Sequence, residues 1–362
     1  FKELGIQGRY ITMQMLKDTC FSKLSVPVVE IGASVNGEPI LGFQIGTGRQ
    51  KVLMWSQMHG NESTTTKAVW DLVNFLQSRD SLANNILYTC TLMIVPMLNP
   101  DGAKAYTRQN RNRIDLNRDA KNQTQPESQA LRQLFEEFQP NFCFNLHDQR
   151  TLFSVGSTAK PATISFLSPA SNPEREVTPT REVAMRLIVA MNKELQKYIP
   201  GQVGRYDDGF NDNCVGDSFQ MEKVPTILFE AGHFPGDYSR EKTREFIFRA
   251  LVEALKTIGF NEVGNHNTED YFKIPENQKW FFDILVKQAY IINPIFKEED
   301  LAGINYKEVL RDNTILFEPE LVDTGILEGF YGHETLDCGI SKEFEQLSNR
   351  REIIDLLLNA NK

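Results

Sequence analysis

The order of segments predicts an α/β protein: a sheet with helices on both faces, followed by a smaller α+β domain. Short apolar runs rich in strand formers alternate with amphipathic helical patterns as far as residue 258. A polar, Gly/Asn-rich stretch at 259–268 then reads as a linker to about 95 residues of different texture. Four of the early runs each end in a polar or ionisable residue. In an open α/β sheet, ligands bind outside the carboxyl ends of strands, so these endings point to one shared site. The expected domains are 1–260 and 268–362.

The first elements form a hairpin, Val28–Ile31 and Ile40–Phe43, around Asn36-Gly37, a pair that favours a tight turn. Lys51–Met58 reads as a strand stopping at His59-Gly60, and Glu62–Leu76 as a helix with Ala68, Leu72, Val73 and Leu76 on one face. Tyr88–Met97 is nearly continuous apolar sequence, as in a strand buried on both faces, and Asn99-Pro100-Asp101-Gly102 ends it. A helix over Glu127–Phe138 precedes a strand at Asn141–Leu146. Residues 161–178, rich in Pro, Ser and Thr, read as a loop. After them come a helix over 179–198, a short strand at Thr226–Phe229 and a helix over Ser239–Ile258. The C-terminal region shows strand-like runs at Ala289–Ile295 and Thr314–Phe317 and a helix over Ser341–Leu358.

Composition narrows the function classes. The chain has 362 residues, 41% apolar and 24% charged, so it can bury a substantial core and is neither disordered nor repetitive. A net charge of −9 excludes wholesale attraction to nucleic acid or anionic membrane. No apolar run approaches the roughly 20 residues that cross a bilayer. The five cysteines, Cys20, Cys90, Cys143, Cys214 and Cys338, are odd in number, spread out and without a CxxC pair. They read as reduced thiols in a cytoplasmic protein, with Cys90 and Cys143 as buried small side chains. The N-terminal residues show no signal-peptide pattern.

Three constellations carry chemistry. His59-Gly60-Asn61-Glu62 places an imidazole and a carboxylate where a strand passes into a helix, spaced to face one point. His₂Glu is an established catalytic zinc set. Of the five histidines (His59, His147, His233, His266 and His333), only His147 closes an apolar strand downstream at moderate distance. The second is Arg108–Arg118, with four arginines in eleven residues, a local positive patch on an acidic protein. Guanidinium forks suit carboxylates, and Asn117 beside Arg118 offers a neutral donor. The third is Glu230 at the end of an apolar strand, where a carboxylate is costly unless it has a partner or a task. Such a group can accept a proton from water at a cation and return it to a leaving amine. His333-Glu334 reads as a surface pair.

Taken together, H-x-x-E, N-P-D-G, Arg, D-x-N-R, His and Glu, in that order over Gly46–Ile258, resemble the zinc metallocarboxypeptidases of the carboxypeptidase A type, as a short bacterial-type member with an extra C-terminal region. The resemblance implies a central mixed, mostly parallel sheet of about eight strands and one Zn²⁺ per chain. It implies His59, Glu62 and His147 as metal ligands and Asp115 as the carboxylate that orients His59. By the same resemblance Asn117 and Arg118 grip a substrate's terminal carboxylate, Arg108 stabilises the oxyanion, and Glu230 is general base and acid for attack by metal-bound water. The expected partner is a peptide or small amide with a free carboxylate.

Some positions depart from the family pattern. Asn61 stands where pancreatic members have an arginine. No residue clearly matches the tyrosine that closes over substrate, and Tyr206 is the candidate. Val215 falls near the position that lines the specificity pocket, and Asp207, Asp208, Asp212 and Asp217 lie nearby. Two further readings accompany this one. Aspartoacylases and succinylglutamate desuccinylases share H-x-x-E and D-x-N-R, and a non-catalytic peptide-binding protein could retain the fold. For the C-terminal region, covering one side of the cleft or self-association into a homo-oligomer is expected.

Overall fold

The computed structural model describes residues 1–360 and divides into two compact units. The first comprises Phe1–Gln149 and Ala162–Asn277; the second takes Arg150–Pro161 and the chain from Gln278 onward. The expected linker lies inside the first unit. Its residues make a 3-10 turn at Val263–Asn265 and lead into a short helix, Glu269–Phe272, whose Tyr271 is fully buried. That ring adds core area, so the unit closes only at Asn277.

The first unit is built on an eight-stranded mixed sheet. Its strands are β1 Val28–Ala33, β2 Pro39–Ile45, β3 Gln50–Ser56, β4 Cys90–Val95, β5 Phe142–Asp148, β6 Ile164–Leu167, β7 Val203–Arg205 and β8 Thr226–Ala231. Their spatial order is β1-β2-β4-β3-β5-β8-β6-β7. The central β4, β3, β5 and β8 are mutually parallel. Along β3 the side chains alternate: Val52 and Met54 join one core cluster, Leu53 and Trp55 the other. The helices that cover the two faces are α1 Met13–Thr19, α2 Thr64–Leu76, α3 Ser81–Thr89, α4 Pro100–Ala105, α5 Pro126–Phe138, α6 Pro179–Leu195, α7 Val215–Met221 and α8 Glu241–Gly259. Residues of α2, α6 and α8 fill the first cluster, and those of α5 and α7 the second. The expected α/β sandwich is present.

Several elements differ from the sequence reading. The apolar run at Tyr88–Met97 is split: α3, capped by Asp80, occupies it up to Thr89, and the strand starts at Cys90. Asp80 accepts hydrogen bonds from the Leu82 and Ala83 N–H groups, a capping signal outweighed by the β-rich composition downstream. Within the expected loop at 161–178 lies β6, a fully buried four-residue strand antiparallel to β8. It is too short to show periodicity. The segment at Ala289–Ile295 is a 3-10 turn and coil, and the strand lies earlier, at Phe281–Lys287.

In the second unit that strand, β9, joins β10 Leu301–Arg311, β11 Thr314–Gly325 and β12 Tyr331–Asp337 in the order β11-β10-β9-β12. Two helices, α9 Ser341–Ser348 and α10 Arg351–Leu358, replace the single expected one and bury Leu347, Ile353 and Leu357 against Ile284 and Val286. His333 stacks on Phe281 with ring centroids 4.4 Å apart, and Glu334 pairs with Arg350. Both are thus engaged structurally. No helix among the described residues is long and apolar enough to cross a membrane, and all five cysteines are free.

Topology fixes where a site can form. After β3 the chain moves to β4 on one side, then crosses back to β5 on the other. Strand order therefore reverses between β3 and β5, and the crevice opens at their carboxyl ends. Gln57, at φ 49°, turns the chain out of β3, and its amide donates to the carbonyls of Ile11 and Gly60. Gly60 then packs directly on α4. A Cβ there would sit 1.9 Å from the Gly102 carbonyl carbon and 2.2 Å from the Ala103 nitrogen. Gly60 is therefore needed to bring the H-G-N-E and N-P-D-G motifs together, and Asn99 ties the joint by donating to the Met58 carbonyl. Gly60→Ala is expected to cost about 3 kcal/mol, because backbone must move. Gly37→Ala, in open space at φ 81°, should cost about 1 kcal/mol. Denaturant unfolding of both variants tests the contrast; equal losses would contradict the close approach.

Candidate metal centre and active site

Three side chains converge at the crevice. Glu62 occupies the turn between β3 and α2, with its N–H bonded to the His59 carbonyl at 3.1 Å. Its Oε1 lies 2.9 Å from His59 Nδ1 and its Oε2 lies 2.8 Å from His147 Nδ1. The two Nδ1 atoms are 3.0 Å apart. All three residues are buried, and their ligand atoms lie within 4.8 Å of one another. The sequence reading placed His147 just past its strand; it stands within β5, paired in register with Glu230 of β8. Both face the α5/α7 side, as the alternation from Cys143 requires.

A neighbouring carboxylate fixes the His59 tautomer. His59 Nε2 lies 2.9 Å from Asp115 Oδ1, which suits an Nε2–H donor and leaves a lone pair on Nδ1. Asp115 is itself held by the Asn117 N–H at 2.9 Å and by Arg108 Nε at 3.0 Å. Burial opposes ionisation of Asp115, but His59 and Arg108 outweigh it and hold the carboxyl well below its usual range. Glu62 is likewise held low against its burial by His59 and His147. Burial alone would depress His59, yet Glu62 and Asp115 raise it. His147 is pushed down to about 4, chiefly by burial, and is neutral.

Two ring nitrogens and a carboxylate thus direct lone pairs at one point that calls for positive charge. A proton can serve only one pair of these atoms at a time. A divalent ion can engage all three, and two imidazoles with a carboxylate suit zinc. The residues fit that ion.

Glu230 is buried, and its Oε2 has no hydrogen-bond partner among the described residues. Desolvation first, then repulsion from Glu62 and Asp148, raises its pKa well above the ordinary value; Arg108 pulls the other way. The remaining expected residues are close by. Arg108 also donates through Nη1 to Glu62 Oε1 at 3.2 Å. Asn117 accepts from the Val215 N–H through Oδ1 at 3.3 Å. Arg118 donates through Nη1 to the Asn117 carbonyl at 2.8 Å. The Tyr206 phenol is pushed up by burial and then by the fields of Glu230 and Glu62.

Other contributors escaped the sequence reading. Asp148, next to His147, faces the opposite side of the sheet and accepts from the Thr64 and Thr65 N–H groups at 2.9 and 3.3 Å, capping α2. Its own N–H donates to Glu62 Oε2 at 3.1 Å. The only sequence signal was its adjacency to His147. Cys214 and Asn213 line Arg118: the guanidinium lies 3.1 Å from Cys214 Sγ, and the Asn213 amide donates to the Arg118 carbonyl. Nothing in their spacing announces this, because α7, which brings them to Arg118, is too short to show a helical period. Asp208 and Asp212 are paired, with Arg181 and Arg175 and with Lys121 respectively.

Known proteins share part of this sequence and its fold. Residues 13–120 match the model of the zinc carboxypeptidase family. Among curated relatives, a "Probable carboxypeptidase 2" of Trichophyton verrucosum is 26% identical over 114 residues, covering 31% of this chain and 21% of that protein. "Carboxypeptidase SOL1" of Arabidopsis thaliana is 32% identical over 129 residues, covering 30% of this chain and 26% of that protein. The matched stretch therefore spans about a fifth to a quarter of these relatives' length. Among solved structures, a metallo-carboxypeptidase from Burkholderia cenocepacia superposes with a TM-score of 0.54 at 18% identity, covering 67% of this chain and 66% of that one. One from Pseudomonas aeruginosa gives 0.56 at 17% identity, covering 70% of each. Residues 13–120 of the chain thus carry the sequence signature of the zinc carboxypeptidases, and its mixed α/β sheet has their fold.

Proposed function

We propose that the protein is a zinc-dependent metallocarboxypeptidase that hydrolyses an amide bond next to a free terminal carboxylate. The observation that carries the reading is the convergence of His59, Glu62 and His147 beside the unpartnered carboxylate of Glu230. In the holoenzyme these three residues would hold the ion, which supplies Lewis acidity and lowers the pKa of water to about 7. The family match supports this reading over hydrolysis of small N-acyl amino acids.

The chain's own groups divide the remaining work. Glu230 takes a proton from the attacking water at Oε2 and returns it to the departing amine. Its raised pKa makes the carboxylate a stronger proton acceptor than an ordinary glutamate. Arg108, held at Nε by Asp115, presents its guanidinium to the oxyanion. Asn117 keeps its side-chain Nδ2 without a partner among the described residues, and Arg118 is exposed beside it; together they bind the terminal carboxylate. Tyr206 is proposed to close over substrate. With Asp208 and Asp212 already paired, Asp217 buried with its carboxyl raised to about 7 by desolvation, and neutral Val215 nearby, the reading favours an uncharged substrate side chain. Five free cysteines support placement in the cytoplasm.

Hydrolysis of a blocked dipeptide with a free carboxyl end, compared with its C-terminal amide, tests the activity. The free acid should be cleaved and the amide should not. Glu230→Gln should lower kcat by about 10²–10⁴ with zinc content unchanged. Undiminished turnover would remove Glu230 from the mechanism. Glu62→Gln and His147→Ala should lose stoichiometric zinc, and Asp115→Asn should weaken zinc binding about 10–100-fold; equilibrium dialysis of the metal checks all three. Because Glu230 works as a carboxylate, kcat/KM should fall as pH drops through its raised pKa, above the ordinary value of about 4.3. Removing the positive charge in Arg108→Gln should move that acid limb to higher pH, and a shift to lower pH would contradict the assignment.

A further inference from the structure

The arginine-rich stretch contains two members that the catalytic reading does not use. Arg108 turns toward Glu62 and Asp115, but its neighbours Thr107 and Gln109 line a separate cleft of about 460 Å³. Lys104, Arg111 and Arg113 also line it. All three are exposed, and none has an acidic partner within ion-pairing distance among the described residues. One carboxylate, Asp101, lies in the wall; it is buried, and its Oδ2 already accepts from the Asn36 N–H at 2.9 Å. Three positive groups against one engaged carboxylate leave a concave positive surface on a chain of net charge −9.

The loop that presents these groups is fixed from within. Buried Asn110 accepts through Oδ1 from the Asn112 and Ile114 N–H groups at 3.0 and 3.1 Å. Its amide donates to Gln125 Oε1 at 2.8 Å and Glu127 Oε2 at 3.1 Å. The Asn110 N–H donates to the Ile114 carbonyl and the Arg113 N–H to the Asn110 carbonyl, both at 3.0 Å. Arg113 adopts φ 61°, a left-handed conformation unusual for a residue with a side chain. A tight turn could use glycine there, yet it carries a guanidinium. With the inner polar groups satisfied, the cationic side chains remain free to meet a ligand at little ordering cost to the backbone.

We propose that this cleft is a second anion site, separate from the metal centre, that takes a small polyvalent oxyanion such as a phosphate or a dicarboxylate. Two forked guanidiniums and an ammonium around one concavity supply charge-assisted donors for several oxygens at once. Because the groups are exposed, binding weakens as ionic strength rises.

Calorimetric titration of the zinc-loaded full chain with inorganic phosphate, and separately with succinate, at fixed ionic strength tests the site. Either ligand should bind, and comparing them separates phosphate from carboxylate recognition. R111Q/R113Q should weaken binding about tenfold or more, whereas R79Q, at an exposed arginine outside the cleft, should leave it unchanged. Should the double variant fail to fold, Arg113→Gly removes the charge at a position where glycine fits the backbone, and it should also weaken binding. Absence of binding to the parent chain would overturn the proposal. So would unaltered affinity in R111Q/R113Q or Arg113→Gly, or loss of binding in R118Q alone, which would place the anion at the catalytic carboxylate grip. Zinc content in the same samples reports on the metal centre independently.

Discussion

The Glu62 carboxylate, shared between two buried imidazoles, is the contact on which the site's arrangement depends. It stands 2.9 Å from His59 Nδ1 and 2.8 Å from His147 Nδ1, so one side chain links the turn after β3 to the end of β5 where strand order reverses. Its Oε2 also takes the Asp148 N–H, tying the turn after β3 to the end of β5. Asp148 in turn caps α2, the helix that begins just after Glu62. Backbone and side chain thus hold the same carboxylate from both sides. A polar cluster buried this deeply is costly unless every member is engaged, and mutual engagement is what gives it one geometry.

Much of this arrangement is legible in sequence because strand ends and glycines leave marks. His59-Gly60 and Asn99-Pro100-Asp101-Gly102 look like separate punctuation, yet Gly60 packs against the Gly102 backbone, which explains the glycine after His59. Glu230 announces itself as a charge ending an apolar run, and it stands beside His147 in the parallel register of β5 and β8. What sequence hides is whatever lacks a period. β6 and β7 have four and three residues, too few for alternation to appear. α7 places Val215 against Asn117, a contact across 98 positions that no local pattern encodes. α3 was masked because its last residues merge into the apolar strand after it.

The arginine-rich stretch shows the same limit from another side. Composition marks Arg108–Arg118 as positive but cannot tell which guanidinium faces which carboxylate. The fold sorts them. Arg108 turns inward to Asp115 and Glu62, Arg118 rests on the Asn117 carbonyl, and Arg111 and Arg113 project into another cleft. Asn110 does the sorting: it is buried and hydrogen-bonded on both its oxygen and its nitrogen, so the chain on either side diverges from a fixed point.

Charge balance explains why such a cluster is tolerated in a buried crevice. Glu62, Asp115 and Glu230 bring three carboxyl groups to the site, and Arg108 is the cation that acts on all three. Asp148 adds a fourth, offset by Arg9 and Arg240 rather than by Arg108. Without further positive charge, the only relief is protonation, and the molecule shows where that strain falls: His59 is raised and Glu230 is driven toward its neutral form. With every group ionised as its chemistry requires, the inner three carboxylates exceed Arg108 by two charges. A divalent cation held by His59, Glu62 and His147 closes that gap while consuming no donor that Arg108, Asn117 or Arg118 needs for a substrate.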